Sequence, residues 1–213
     1  MAEPIKKEQN LNYQKELDQI LTGVLCRDTK PSLLLHSCCG PCSSYCLSYL
    51  NDYFHITVFY FNPNIDPIEE YEHRLSVQKH LIDRLNEDLS SDIQLLAGEY
   101  DHNAFLEAVK GLEKEPEGGK RCRECFWLRL NETYHKAEEL GFDYYGTTLT
   151  VSPHKNALLI NEIGSDIAEK GSDGHLLWLP SDFKKKNGYQ ISIELSRKYD
   201  LYRQNYCGCE FAR

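Results

Sequence analysis

Long apolar runs are missing from this chain: nowhere do about 18 hydrophobic residues follow one another, so no transmembrane helix is expected. The first ten residues, MAEPIKKEQN, lack the apolar stretch of a secretion signal, and the expectation is a cytoplasmic protein. No internal repeat and no low-complexity linker divides the 213 residues, a length that suits one domain with a real core. Positive charge is also scarce. With 24 Lys and Arg against 33 Asp and Glu the net charge is −9, which on its face argues against a polyanionic partner. The deficit is uneven: residues 184–213 hold seven basic residues (Lys184, Lys185, Lys186, Arg197, Lys198, Arg203, Arg213) against three acids, a net of +4, so the other 183 residues carry −13. A basic end on an acidic body can still meet phosphate locally, although a solvated lysine-rich loop explains the same residues equally well.

Cysteine, by contrast, is plentiful. Nine occur, and seven fall into three tight clusters: Cys38, Cys39 and Cys42; Cys122 and Cys125; Cys207 and Cys209. In a reducing compartment such clusters point to metal binding or catalysis and not to disulfide staples. Cys26 and Cys46 stand apart and read as small buried hydrophobes.

Residues 11–25 place Leu17, Ile20, Leu21 and Val24 on one helical stripe. SLLLH (32–36) is apolar at its centre, as a strand buried on both faces should be. HITVFYF (55–61), DIQLL (92–96), FDYYGTT (142–148) and HLLWL (175–179) supply four more strands. Pro41 suits the first turn of a helix running to about residue 52, and Pro67 opens a longer one. Further helices are expected near 101–112, over 122–140 (stopped by Gly141), 156–170 and 189–200, with EKEPEGGK (113–120) and LTVSPHKN (149–156) as loops. The alternation predicts a three-layer α/β domain with a mostly parallel sheet over 31–213, after a helical extension over 1–30. Ligands of such sheets lie outside the carboxyl ends of the strands, where the strand order reverses, and Cys38 and Cys39 leave the first strand at such a place.

A helix N-terminus favours thiolate over thiol, and thiolate is the form that ligates metal. Gly40 and Pro41 supply a turn that lets Cys38 and Cys39 face one side, while CRECFW adds a C-x-x-C at the start of a helix. Together Cys38, Cys39, Cys122 and Cys125 make a four-thiolate set fit for zinc or for a [4Fe–4S] cluster. Spacing alone leaves iron–sulfur, zinc and no metal all open, with electron transfer better served by the location than bracing. Cys207 and Cys209, at i and i+2, can close a strained, labile disulfide of the redox-active kind, with Gly208 relieving the backbone between them, although a lone C-x-C is more often an ordinary pair of thiols or two further ligands.

Five stretches, LLLHSCCGPC, FYFNPNIDPIEEYEHR, RCRECFWLRL, TTLTVSPHKN and DFKKKNGYQISIELSRKYDLYRQNYCGCEF, resemble the epoxyqueuosine reductases of the QueH type, in family order and over nearly the whole chain from residue 32. The resemblance implies the last step of queuosine synthesis, reduction of the epoxide of epoxyqueuosine at the wobble position of tRNA, with an external donor such as a ferredoxin or flavodoxin. It implies an adenine-nucleotide-hydrolase-like (HUP) fold, a [4Fe–4S] cluster on Cys38, Cys39, Cys122 and Cys125, and a redox-active pair at Cys207 and Cys209. Some members hold a second, mononuclear iron, whose ligand position is Cys42 here. Substrate contacts are expected from Asn62, Glu70, Tyr71 and Arg74, and from Arg203 and Tyr206 beside the redox pair. Glu70 and Arg74 equally suit a surface i,i+4 ion pair. His36 reads as a core histidine or a proton donor, and His154 or Lys155 could reach the anticodon loop. Two other readings fit parts of the pattern. An ATP-dependent iron–sulfur tRNA sulfur-transferase would need a glycine-rich loop that HSCCGPCSS does not offer. A non-enzymatic zinc-binding RNA-interaction module would use the same four thiols.

Overall fold

The computed structural model describes residues 12–171 and 174–212. Five strands, β1 (Ser32–His36), β2 (His55–Tyr60), β3 (Gln94–Ala97), β4 (Tyr144–Thr147) and β5 (Leu177–Trp178), form one sheet in the order β3-β2-β1-β4-β5. Every pairing is parallel, with Leu33 opposite Ile56 on one side and Tyr144 on the other. A parallel sheet must be covered on both faces, and β1 shows how the sequence satisfies that. Leu33 and Leu35 enter one core with Leu17, Leu47 and Leu81, whereas Leu34 enters the other with Leu130, Ile160 and Trp178. The first core is roofed by α1 (Tyr13–Leu25), α2 (Gly40–Leu50), α3 (Ile68–Leu89) and α7 (Gly188–Lys198); the second by α5 (Lys120–Leu140) and α6 (Ala157–Lys170). The short α4 (His102–Ala108) buries Phe105 beside Cys125 and Cys209.

The chain moves outward from β1 to β3, then returns to lay β4 on the free side of β1. The strand order therefore reverses between β1 and β4, and the crevice expected there opens directly over Cys38.

Several expectations are adjusted. The fourth strand stops at Thr147, whose hydroxyl accepts from Leu149 N–H and turns Thr148–Val151 into a 3₁₀ helix where a loop was expected. The fourth helix ends at Ala108, short of 112. The N-terminal extension is packed as α1, with Leu17, Leu21 and Val24 in the main core; its first eleven residues lie outside those described. Three of the six described basic residues of the C-terminal stretch are in ion pairs: Lys184–Asp182 at 3.0 Å, Lys186–Asp18 at 2.7 Å and Lys198–Asp88 at 2.6 Å. Arg213 lies outside the described residues. Cys46 is buried as expected, but Cys26, following α1, is exposed.

Candidate active site

The first element of the site is the turn out of β1. Cys39 is the extended residue capping α2, and Gly40 and Pro41 form the first turn, so the thiols of Cys38, Cys39 and Cys42 collect at a helix N-terminus. Their anchorage is polar and buried. The hydroxyls of Ser37 and Ser43 lie against one another and against Gln78 Oε1 of α3, 2.7 and 2.9 Å from it, a cluster in which each hydroxyl donates once. A Cβ on Gly40 would lie 3.0 Å from Val77 Cγ1 and 3.2 Å from its carbonyl, so α2 can press this closely on α3 only with glycine there. Cys38 and Cys39 sulfurs stand 3.9 Å apart. The neighbouring thiols of Cys39 and Cys42 hold Cys38 well below the usual thiol range, and the same contact pushes Cys39 up to about 11.

The second element is the first turn of α5, where Gly118 N–H lies 3.2 Å from Cys122 Sγ and Cys125 is buried. Burial pushes the Cys125 thiol up to about 12. One turn further on, Arg129 is 1% exposed. Its Nε donates to the Cys125 carbonyl at 3.3 Å and its Nη1 to Asn62 Oδ1 at 3.3 Å. Asn62 Nδ2 in turn donates to the Ser37 carbonyl at 2.8 Å, immediately before Cys38. Nη2 of Arg129 is buried with no hydrogen-bond partner among the described residues. Burial opposes the charge, yet the facing thiols of Cys125, Cys38, Cys207 and Cys122 leave the guanidinium even harder to deprotonate than usual.

The third element is the C-terminal C-x-C. Gly208 adopts φ +93°, and its carbonyl accepts from Asp66 N–H at 3.0 Å. Arg74, buried in α3, pairs with Glu70 at 2.6 Å, donates to the Cys207 carbonyl at 3.1 Å and lies 5.1 Å from the Tyr206 ring centre. Burial raises Glu70, but the Arg74 guanidinium holds it below its usual range. Arg121 donates to the Phe211 carbonyl at 3.3 Å, and His102 meets Glu210 at 3.0 Å, so the segment is tied to α3, α4 and α5.

Two adjoining cavities result. One, with about 30 Å³ of free space, is lined by Cys122, Cys125, Cys207, Cys209 and Arg129. The other, of about 400 Å³, opens over Cys38, Cys39 and Cys42, with Arg74, Arg203 and Tyr206 at its border. Glu117, His154, Lys155 and Cys207 belong to both. Burial pulls the half-buried Lys155 down, yet the thiols of Cys207, Cys38 and Cys42 outweigh it and keep the ammonium charged. Among the described residues no three His, Cys, Asp or Glu side chains converge tightly enough to hold a single metal ion.

The expected substrate residues divide. Glu70, Arg74, Arg203 and Tyr206 gather near the redox pair, Arg203 resting 5.2 Å from the Tyr189 ring centre. The exposed ion pair allowed for Glu70 and Arg74 is instead a buried one. Asn62 and Tyr71 are buried, Asn62 joining Ser37 to Arg129, and Tyr71 packing between Tyr60 and Tyr100 with its hydroxyl on the Gly98 carbonyl. His36 has both nitrogens occupied. The Phe61 carbonyl can only accept, so Nε2 carries the proton (3.1 Å) and Nδ1 accepts from Thr147 at 2.9 Å. Burial pushes it down to about 3, a neutral core histidine and no proton donor. Arg129 escaped the sequence reading, although its place four residues after Cys125 puts it on the cysteine face of α5.

A family model described as epoxyqueuosine reductase QueH matches residues 33–213. The chain belongs to this family. An epoxyqueuosine reductase QueH of Streptococcus pyogenes serotype M1 is 45% identical over 204 residues, spanning 96% of this chain and 79% of that protein. The QueH of Staphylococcus aureus (strain Mu50) is 42% identical over 216 residues, with 99% and 89% covered. That of Thermotoga maritima is 34% identical over 187 residues, with 85% and 90% covered. Among solved structures, a U34-tRNA thiolase NcsA from Methanococcus maripaludis, described with its [4Fe-4S] cluster, superposes with a TM-score of 0.52 at 14% identity, covering 93% of this chain and 68% of that one. That likeness concerns the fold alone, and the five-stranded parallel α/β sheet agrees with the α/β class expected from the sequence.

Proposed function

We propose that this QueH-family chain reduces the epoxide of epoxyqueuosine in tRNA to the alkene of queuosine, with Cys207 and Cys209 as the immediate source of two electrons. The observation that carries the reading is the shared wall: Cys207 faces both the cavity of Cys122 and Cys125 and the cleft of Cys38, Cys39 and Cys42. Chemically the step balances without a further reagent. Two thiols close to a disulfide, giving up two electrons and two protons; the epoxide takes both, both its C–O bonds break, and the oxygen leaves as water.

The residues fit an iron–sulfur group. Four soft sulfur donors stand at the mouth of the sheet, and the buried Arg129 and half-buried Lys155 offset the negative charge that four thiolates bring. In a [4Fe–4S] cluster each thiolate meets its own iron, so the sulfurs need not converge on one point as they must around zinc. Cys38, Cys39, Cys122 and Cys125 would hold the cluster, which supplies single electrons drawn from an external donor such as a ferredoxin or flavodoxin. Cys42, in the first turn of α2, is the position for a ligand to a second, mononuclear iron with Lewis-acid character.

The open cleft over these thiols receives the modified nucleoside. Arg203 and Lys155 offer charge to phosphate, Tyr206 and Tyr189 offer faces to an unpaired base, and Glu70 holds Arg74 against the redox loop. No helix among the described residues is long and apolar enough to cross a membrane, which suits work on tRNA in the cytoplasm.

The test is to change Cys207 or Cys209 to Ser and assay epoxyqueuosine-containing tRNA by nucleoside mass spectrometry, with iron and sulfide quantified after anaerobic purification. Loss of queuosine with iron content retained is the expected result. Full turnover in both variants overturns the dithiol role.

A further inference from the structure

The least explained group in the molecule is the guanidinium of Arg129. A buried cation normally has its donors satisfied and a carboxylate beside it, since an isolated charge out of water is costly. Arg129 has neither: Nη2 has no partner among the described residues, and the acidic groups that influence it are thiols of all three cysteine clusters. Its remaining bonds are arranged across the site. Nε reaches the carbonyl of Cys125, and Nη1 reaches Asn62, which holds the carbonyl of Ser37. One end of this chain fixes the C-x-x-C turn, the other fixes the backbone that presents Cys38 and Cys39.

We infer that Arg129 is the resident counter-charge of the proposed cluster and, through Asn62, the strut that keeps its two halves in register. The inference rests on the iron–sulfur reading and adds two separable roles. As a fixed positive charge, Arg129 favours the more negative, reduced state and so raises the reduction potential. As half of a bridge, it keeps ligands from α5 and from β1 at a constant separation, which governs how firmly the iron is retained. Arginine suits both roles, because it does not deprotonate and its planar fork can bond in two directions at once. These are positioning roles, since the guanidinium acts through Cys125, Asn62 and the local field.

The experiment uses the full chain purified and reconstituted anaerobically, with three variants. Arg129→Gln removes charge and bridge, Arg129→Lys keeps the charge but shortens the reach, and Asn62→Ala keeps the charge and breaks the bridge. Reduction is followed by EPR-monitored potentiometry, retention by iron loss to an added chelator, and folding by circular dichroism. Arg129→Gln is expected to show a more negative potential and iron retention weaker by roughly 10- to 100-fold. Arg129→Lys and Asn62→Ala are expected to stay near the parent potential while losing iron faster than the parent. If Arg129→Gln does not fold, those two decide the matter: faster loss at parental potential supports the inference, and parental retention in both overturns it. A folded Arg129→Gln with parental potential and retention also overturns it. A parent chain that takes up no iron and sulfide is a different result, overturning the cluster reading itself.

Discussion

Replacing Gly208 by alanine tests how tightly the redox loop is held. The residue sits at φ +93°, a conformation that costs an L-residue about 1–2 kcal/mol. The added Cβ would also lie 3.0 Å from Arg74 Nη1 and 3.2 Å from its Cζ. Arg74 has little freedom to retreat, being pinned by Glu70 at 2.6 Å and by the Cys207 carbonyl at 3.1 Å. Relief would break the second of these, a hydrogen bond to a charged group worth roughly 1.5–3 kcal/mol. If Arg74 yields, the two losses together come to roughly 2.5–5 kcal/mol. Cys207 and Cys209 flank the altered residue, and a displacement of about 1 Å at reacting atoms can cost 100-fold in rate. Urea unfolding should therefore show the lowered stability, and nucleoside mass spectrometry a fall in queuosine formation of that order. A Gly208→Ala protein as stable and as active as its parent would refute the reasoning.

Serine at Cys38, Cys39, Cys122 or Cys125 is expected to bleach the brown colour of anaerobically purified protein and to lower iron and sulfide together, read by elemental and sulfide analysis. His36 gives a pH prediction. Its folded pKa, pushed down to about 3 from 6.5, means that the unfolded chain binds the extra proton in that window. Stability should be complete above 6.5 and fall by up to about 1.4 kcal/mol per pH unit as the medium is acidified toward 3; His36→Asn should flatten this part of the acid-unfolding curve. Asn161 bonds Trp178 Nε1 at 3.1 Å and Ser181 N–H at 2.9 Å through one buried oxygen. Asn161→Ala should cost roughly 2–4 kcal/mol in thermal denaturation, because both donors are left dry; an unchanged melting curve would count against that account.

The architecture was legible because it depends on local pattern. An apolar triplet in SLLLH, β-branched runs, and proline and glycine at helix ends report burial and chain reversal within a few residues. The cysteine clusters were legible for the same reason, since i, i+1 and i, i+3 spacing on a strand end or helix turn fixes which thiols can face together. Pairings that span the chain were not. Lys186 finds Asp18 across 168 positions, and nothing local to either distinguishes that pair from a solvated lysine. Asn62 and Tyr71 looked like polar residues of a loop and a helix surface, but both are buried, by Arg129 and the Ser37 carbonyl in one case and by Tyr60 and Tyr100 in the other. Arg129 is one basic residue among several on α5, and its burial follows only from the way that helix lies on β1.

The hydroxyl cluster of Ser37, Ser43 and Gln78, with Val77 seated against Gly40, bears on which ligand this helix start can take. A phosphate chain would settle at the start of α2, as anions do at helix N-termini. Here that ground carries three thiols, supported from below by the serine–glutamine cluster and from the side by a valine. Seating a phosphate there would mean displacing thiols whose backbone a buried hydroxyl cluster and the seam between two helices hold in place.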